Sequence, residues 1–199
     1  MKFWFRPDAC CSRWFRAGLW LAHIGGVVCG AAFLLPASAV QAGEPMLLEA
    51  KIPLGKVSGR IDHFAIDLER RRLFVAELGN NSVGVIDLNK GELIRNIAGL
   101  KEPQGVAYEK SADTLFVASA GDGSLRLFRG AELPNAGRIE LGEDADNIRG
   151  DKNGRKVFVG YGAGALAVID PATRTKLTSI PLPAILRAFS WIVPRREFS

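Results

Sequence analysis

Three stretches of this 199-residue chain repeat one another at a fixed interval. "LFVAELGNNSVGVID", "LFVASAGDGSLRLFR" and "VFVGYGAGALAVID" begin at Leu73, Leu115 and Val157, 42 residues apart each time. Each carries an aromatic at its second position (Phe74, Phe116, Phe158), then a Gly-rich break and a second apolar run. The interval also holds upstream, where His63, Gly105 and Asn147 are 42 apart. A period of this length is the mark of a chain built from identical supersecondary units, each packing on its neighbours.

Each unit holds four short runs with strand character. The first is "FAID", "VAYE" or "IRGD"; the second is the opening motif; the third is "VGVID", "LRLF" or "LAVID". The fourth is "LIRNIAG", "GRIEL" or "KLTSIPL", with Ile97, Ile139 and Ile180 in register. Val, Ile and Phe dominate these runs, as pleated, half-buried surfaces prefer. Between the second and third runs stand Gly79-Asn80-Asn81, Gly121-Asp122-Gly123 and Gly162-Ala163-Gly164, residue types that accept positive φ in tight hairpins. No window beyond residue 42 sustains a helical period. A four-stranded unit of this length reads as a blade of a β-propeller, so the expected fold is all-β, with antiparallel four-stranded blades. A parallel β-helix fits less well, because its coils are shorter and lack three consecutive hairpins.

The first 42 residues have a different character. Lys2, Arg6, Arg13 and Arg16 precede an apolar run from Ala17 to Leu35, followed by Ala37-Ser38-Ala39 and Val40-Gln41-Ala42. That order is a secretory signal peptide, expected to be cut after Ala42, with Ala39 as second choice. A retained anchor is the alternative, since the run is just long enough to span a bilayer. Cleavage leaves a periplasmic or secreted protein with no stable membrane span. It also removes Cys10, Cys11 and Cys29, the only cysteines. The remainder then has no disulfide, no thiolate metal site and no covalent haem attachment.

The charge follows the same division. The whole chain carries +5, yet residues 43–183 hold 19 Lys+Arg against 19 Asp+Glu. The basic excess belongs to the two ends, so no nucleic-acid partner is expected. The only basic run, Arg70-Arg71-Arg72, falls in a predicted turn and reads as a solvated face.

The wording of the units resembles the YVTN-type repeat of bacterial β-propellers, within the WD- and NHL-like propeller superfamily. That pattern runs from an aromatic-containing strand through a Gly/Asn/Ser turn to V-x-V-I-D. Leu73-Phe74-Val75-Ala76 and Val83-Gly84-Val85-Ile86-Asp87 follow it, as does Val157 to Asp170. The second copy departs, with Leu127-Phe128-Arg129 in place of V-I-D. The resemblance covers roughly residues 46–183 and implies a scaffold, because the matching residues are structural.

In such rings ligands sit at a mouth of the central channel. The segments entering the innermost strands read "GRIDHF", "KEPQGV" and "EDADNI". Asp62, His63, Gln104, Asp146 and Asn147 are the candidate binding residues, with Glu102 and Asp144 beside them. Three readings stay open. Carboxylate and amide oxygens suit a divalent cation such as calcium, as in gluconolactonase-like propeller hydrolases. The same groups suit a polar rim for a small molecule or a protein segment. They also cap strand ends and satisfy backbone groups. His63 is the only histidine beyond residue 42, which excludes a multi-histidine metal site there. No residue is assigned as a metal ligand or a catalyst. The expected role is therefore a binding or scaffold module of the cell envelope, with a metal-dependent lactonase or hydrolase as the alternative.

Three blades are expected near 59–99, 101–142 and 143–183, preceded by a lone outer strand over 47–54. The incomplete ring exposes two apolar blade faces, a liability for aggregation or proteolysis. Residues 184–199 break the pattern. "ILRAFSWIV" (Ile185 to Val193) can be encoded so that a one-nucleotide shift reads "HPESFQLDR", a fourth blade's first strand in register, so a frameshift near the Ala184 codon is expected.

Overall fold

The computed structural model describes residues 46–183. The leader expected over 1–42 and the aberrant tail over 184–199 lie outside the described residues. Among the described residues no helix is long and apolar enough to cross a membrane.

Twelve strands form three antiparallel four-stranded sheets, each in simple sequence order. The first holds β1 (Phe64–Asp67), β2 (Arg72–Glu77), β3 (Ser82–Asp87) and β4 (Glu92–Ile97). The second holds β5 (Pro103–Glu109), β6 (Thr114–Ser119), β7 (Ser124–Arg129) and β8 (Asn135–Glu140). The third holds β9 (Ile148–Gly150), β10 (Val157–Tyr161), β11 (Ala165–Asp170) and β12 (Thr175–Pro181). All three lie inside the blade limits drawn from the repeat. The first strand of each sheet is innermost: β1 and β2 lie against β5, and β5 and β6 lie against β9. The fold is an arc of three propeller blades. The lone outer strand expected over 47–54 is not formed; that segment has no regular structure, and each sheet is already complete with four strands.

The period of two along β6 explains how the blades join. Every residue of this strand is buried. Leu115 and Val117 enter a core with Phe74, Ala76, Val83 and Val85 of the first sheet. Phe116 and Ala118 point the other way, into a core with Ile148, Val157, Val159 and Ile169 of the third. Alternate side chains leave opposite faces of a strand, so one strand serves two interfaces.

The turns bear out their chemistry, with a shift of position. A short 3-10 turn follows β2 and β6, and the residue after it is left-handed: Asn81 at φ 55° and Gly123 at φ 60°. Gly79 has a different role. A Cβ there would stand 2.5 Å from the Ser58 carbonyl oxygen, so its need is space. The Asp that ends V-I-D is a turn residue: Asp87 Oδ1 accepts the backbone N–H groups of Asn89 (2.8 Å) and Lys90 (3.0 Å), and Asp170 Oδ1 those of Ala172 and Thr173. The Lys90 amide holds the Asp87 carboxyl below its usual range.

Each pairing of third and fourth strands shifts register by one residue, leaving Ile94, Ala136 and Leu177 as the extra residue on the outer strand. The irregularity recurs with the repeat, and it accounts for the exposure of Ile94 and Leu177.

The basic run corrects the sequence reading. Arg70 does not simply face solvent; it ties two blades together. Its Nη1 donates to Asp67 Oδ2 (3.0 Å), to the Tyr108 hydroxyl (2.8 Å) and to Asp113 Oδ1 (2.9 Å), and its Nη2 to Asp113 Oδ2 (2.9 Å). Tyr108 in turn donates to Asp113 Oδ1 at 2.6 Å and stacks on Phe74 across the blade interface, ring centroids 5.9 Å apart. Arg72 reaches the Ala131 carbonyl of the second blade. A guanidinium with a carboxylate on either side and a half-buried phenol is a cross-link.

This cluster sets an alkaline limit. Burial first, and then the hydrogen bond to Asp113, pushes the Tyr108 hydroxyl from 10.0 up to about 12. A raised value means that its stabilisation is complete below about pH 10 and is lost as pH climbs towards about 12. Stability is expected to fall across that window, and Tyr108→Phe should make the fall shallower. Thermal melts of both proteins from pH 9 to 12 test this; equal slopes would refute it.

Candidate channel mouth

The innermost strands begin beyond their regular ladders, through backbone bonds at the rim. Asp62 N–H donates to the Ala76 carbonyl (2.9 Å), and Ala76 N–H to the His63 carbonyl (3.0 Å). The third blade repeats the pattern: Asp146 N–H donates to the Gly160 carbonyl (3.0 Å), and Gly160 N–H to the Asn147 carbonyl (2.9 Å). Between the first two blades, His63 N–H reaches the Gln104 carbonyl at 3.3 Å.

These bonds bring the candidates together. Asp62, Gln104 and Asp146 stand 42 residues apart, at the same place in each blade. With Arg60, Ile61 and His63 they line one open depression of about 340 Å3. Asn147 is buried behind it. Glu102 and Asp144 do not line it; their left-handed backbones, φ 49° and 45°, turn the connecting loops.

Arg60 is the residue that sequence reasoning missed. Its Nη2 donates to Asp62 Oδ2 at 2.6 Å and to Gln104 Oε1 at 3.3 Å, linking two blades at the rim. Its signal was its position two residues before Asp62, which places both on one side of an extended segment. His63 Nδ1 lies 2.9 Å from Asp62 Oδ1, near enough for an ion pair when the ring is protonated but out of line for a hydrogen bond. The half-buried Asp62 carboxylate therefore lies between a guanidinium and an imidazole.

No protein-family model matches this chain, and no curated protein matches it. Among solved structures it is similar to hydrazine synthase from Kuenenia stuttgartiensis. The TM-score is 0.59 at 19% sequence identity, covering 70% of this chain and 40% of that one. This chain thus spans less than half the length of that protein. The likeness is one of fold and accords with an arc of propeller blades.

The mouth offers carboxylate and amide oxygens as acceptors and the Arg60 guanidinium as a donor. Among the described residues no three His, Cys, Asp or Glu side chains converge as a metal site would require. What the arrangement can do is hold a polar ligand through several hydrogen bonds at once.

Proposed function

We propose that this chain is an exported cell-envelope propeller of the YVTN-repeat kind, whose channel mouth binds a small polar molecule or a peptide segment. The supporting observation is the register of the mouth: Asp62, Gln104 and Asp146 occupy one place in three successive blades and share one depression. This place carries a polar side chain in each of the three blades. Two carboxylates, an amide and one guanidinium suit a ligand bearing an amine together with hydroxyl or amide groups.

A thermal-shift screen with amino sugars, short basic peptides and calcium chloride tests the reading. At least one organic probe is expected to raise the melting temperature. Asp62→Ala or Asp146→Ala should weaken that probe about tenfold or more, the effect of losing one hydrogen bond to a charged group. No shift with any organic probe, or a shift unaltered in both variants, would refute it. Stabilisation by calcium together with lactone hydrolysis would support a metal-dependent hydrolase instead.

A further inference from the structure

The third strands of the first and third blades end on aspartate, β3 on Asp87 and β11 on Asp170. Each caps the turn that follows by taking two backbone N–H groups on Oδ1. In the second blade β7 ends on Arg129 instead. A guanidinium accepts no hydrogen bond, so this side chain has no part in capping its turn. A second arginine departs from the repeat close by. In the first blade Gly91, at φ 67°, donates its N–H to the Asp87 carbonyl (2.8 Å). In the third blade Arg174 makes the same bond to the Asp170 carbonyl (2.8 Å) at φ 60°. That left-handed backbone suits glycine and is costly for arginine, so the turn itself does not call for this side chain.

The two arginines line one cleft of about 170 Å3 between the second and third blades, with Ser111, Thr114 and Pro171. Among the described residues no acidic side chain lines it. Asp113 lies within reach of the Arg129 charge, but its two oxygens are already taken by Arg70 and Tyr108. Arg174 is fixed across the blade boundary. Its Nη1 donates to the carbonyl of Ala136 (3.2 Å), the extra residue in the β8 bulge. Among the described residues its other N–H groups, and the whole Arg129 guanidinium, have no hydrogen-bond partner.

We propose that this cleft binds a compact oxyanion of the phosphate or sulfate type, free or as the ester of a small molecule. Two guanidinium forks match the oxygens of a tetrahedral dianion in geometry and in charge. With Arg129 from the second blade and Arg174 from the third, the bound ion links the two. The cleft shares no residue with the channel mouth, so the two sites stand or fall separately.

Isothermal titration of the full chain with sodium phosphate, at an ionic strength held constant with sodium chloride, should show saturable binding with a Kd of about 1 mM or tighter. Arg129→Asp and Arg174→Gly install the residues that the repeat carries at these places in the first blade. Both should keep the circular dichroism of the wild type. Each should weaken phosphate about tenfold or more, the effect of losing a hydrogen-bonded charge. Arg129→Gln should do the same without reversing the charge, should the aspartate disturb the turn. Sodium sulfate and glycerol 3-phosphate separate the sources. Tighter binding of the ester marks a phosphorylated small molecule, and equal binding marks the free anion. No saturable binding of any of the three anions would overturn the proposal. So would binding that the folded variants retain in full.

Discussion

Gly105→Ala is expected to cost about 3 kcal/mol or more, a large part of the stability of an ordinary domain. A Cβ at this position would stand 1.8 Å from the carbonyl oxygen of Asp146, in the next blade. The obstacle is backbone, and it is held in place: Asp146 N–H is bonded to the Gly160 carbonyl and the Asn147 carbonyl to Gly160 N–H. Relief therefore requires parting the second and third blades or breaking the third blade's own bonds at Gly160. Gly105 also lies where the β5–β6 register shifts, between Pro103 and Val106, so the strand cannot simply slide. Urea unfolding of the variant would measure the loss. A cost below about 1 kcal/mol would mean that the blades separate more easily than their contacts imply.

Phe116→Ala should be comparably damaging, at about 3–5 kcal/mol. The ring is fully buried between the second and third blades, among Leu127, Ile148 and Ile169. Blades held on both sides cannot collapse into the vacated volume without opening the opposite interface, where Leu115 and Val117 are packed. Leu177→Ala, at an exposed bulge on the outer strand β12, serves as the control and should stay within about 0.5 kcal/mol. Similar losses for the two variants in chemical denaturation would refute the assignment of the core.

The repeat made most of the scaffold readable. Period, turn residues and alternation place all twelve strands within a residue or two, apart from β5, which starts earlier. What escaped depends on distance in space. Gly105 aligns with His63 and Asn147, so nothing in the pattern separates a glycine demanded by a crossing carbonyl from an incidental one. Arg70 looked like part of a charge run because its partners, Tyr108 and Asp113, lie about forty residues on in the chain. The left-handed turn residues Arg71 and Asp113 are not glycines, so composition gave no hint of them. At the mouth, Asp62, His63, Gln104 and Asp146 could be grouped because the repeat assigns them to one rim. Arg60 could not, because its role rests on reaching a second blade. The bulge residues Ile94, Ala136 and Leu177 share no residue type, so their register shift has no signature in the sequence.

Those bulges bear on how this chain behaves in a crowded compartment. Among the described residues, the outer strands β4, β8 and β12 form the sheet edges along the arc's circumference. An added strand would need an unbroken ladder, and each edge loses its register partway along, at Ile94, Ala136 and Leu177. A foreign segment could grip each edge for only a few residues before its side chains fell out of phase. Lateral growth into fibrils is thereby discouraged three times over, by a device that the duplication of the unit copied along with the blade.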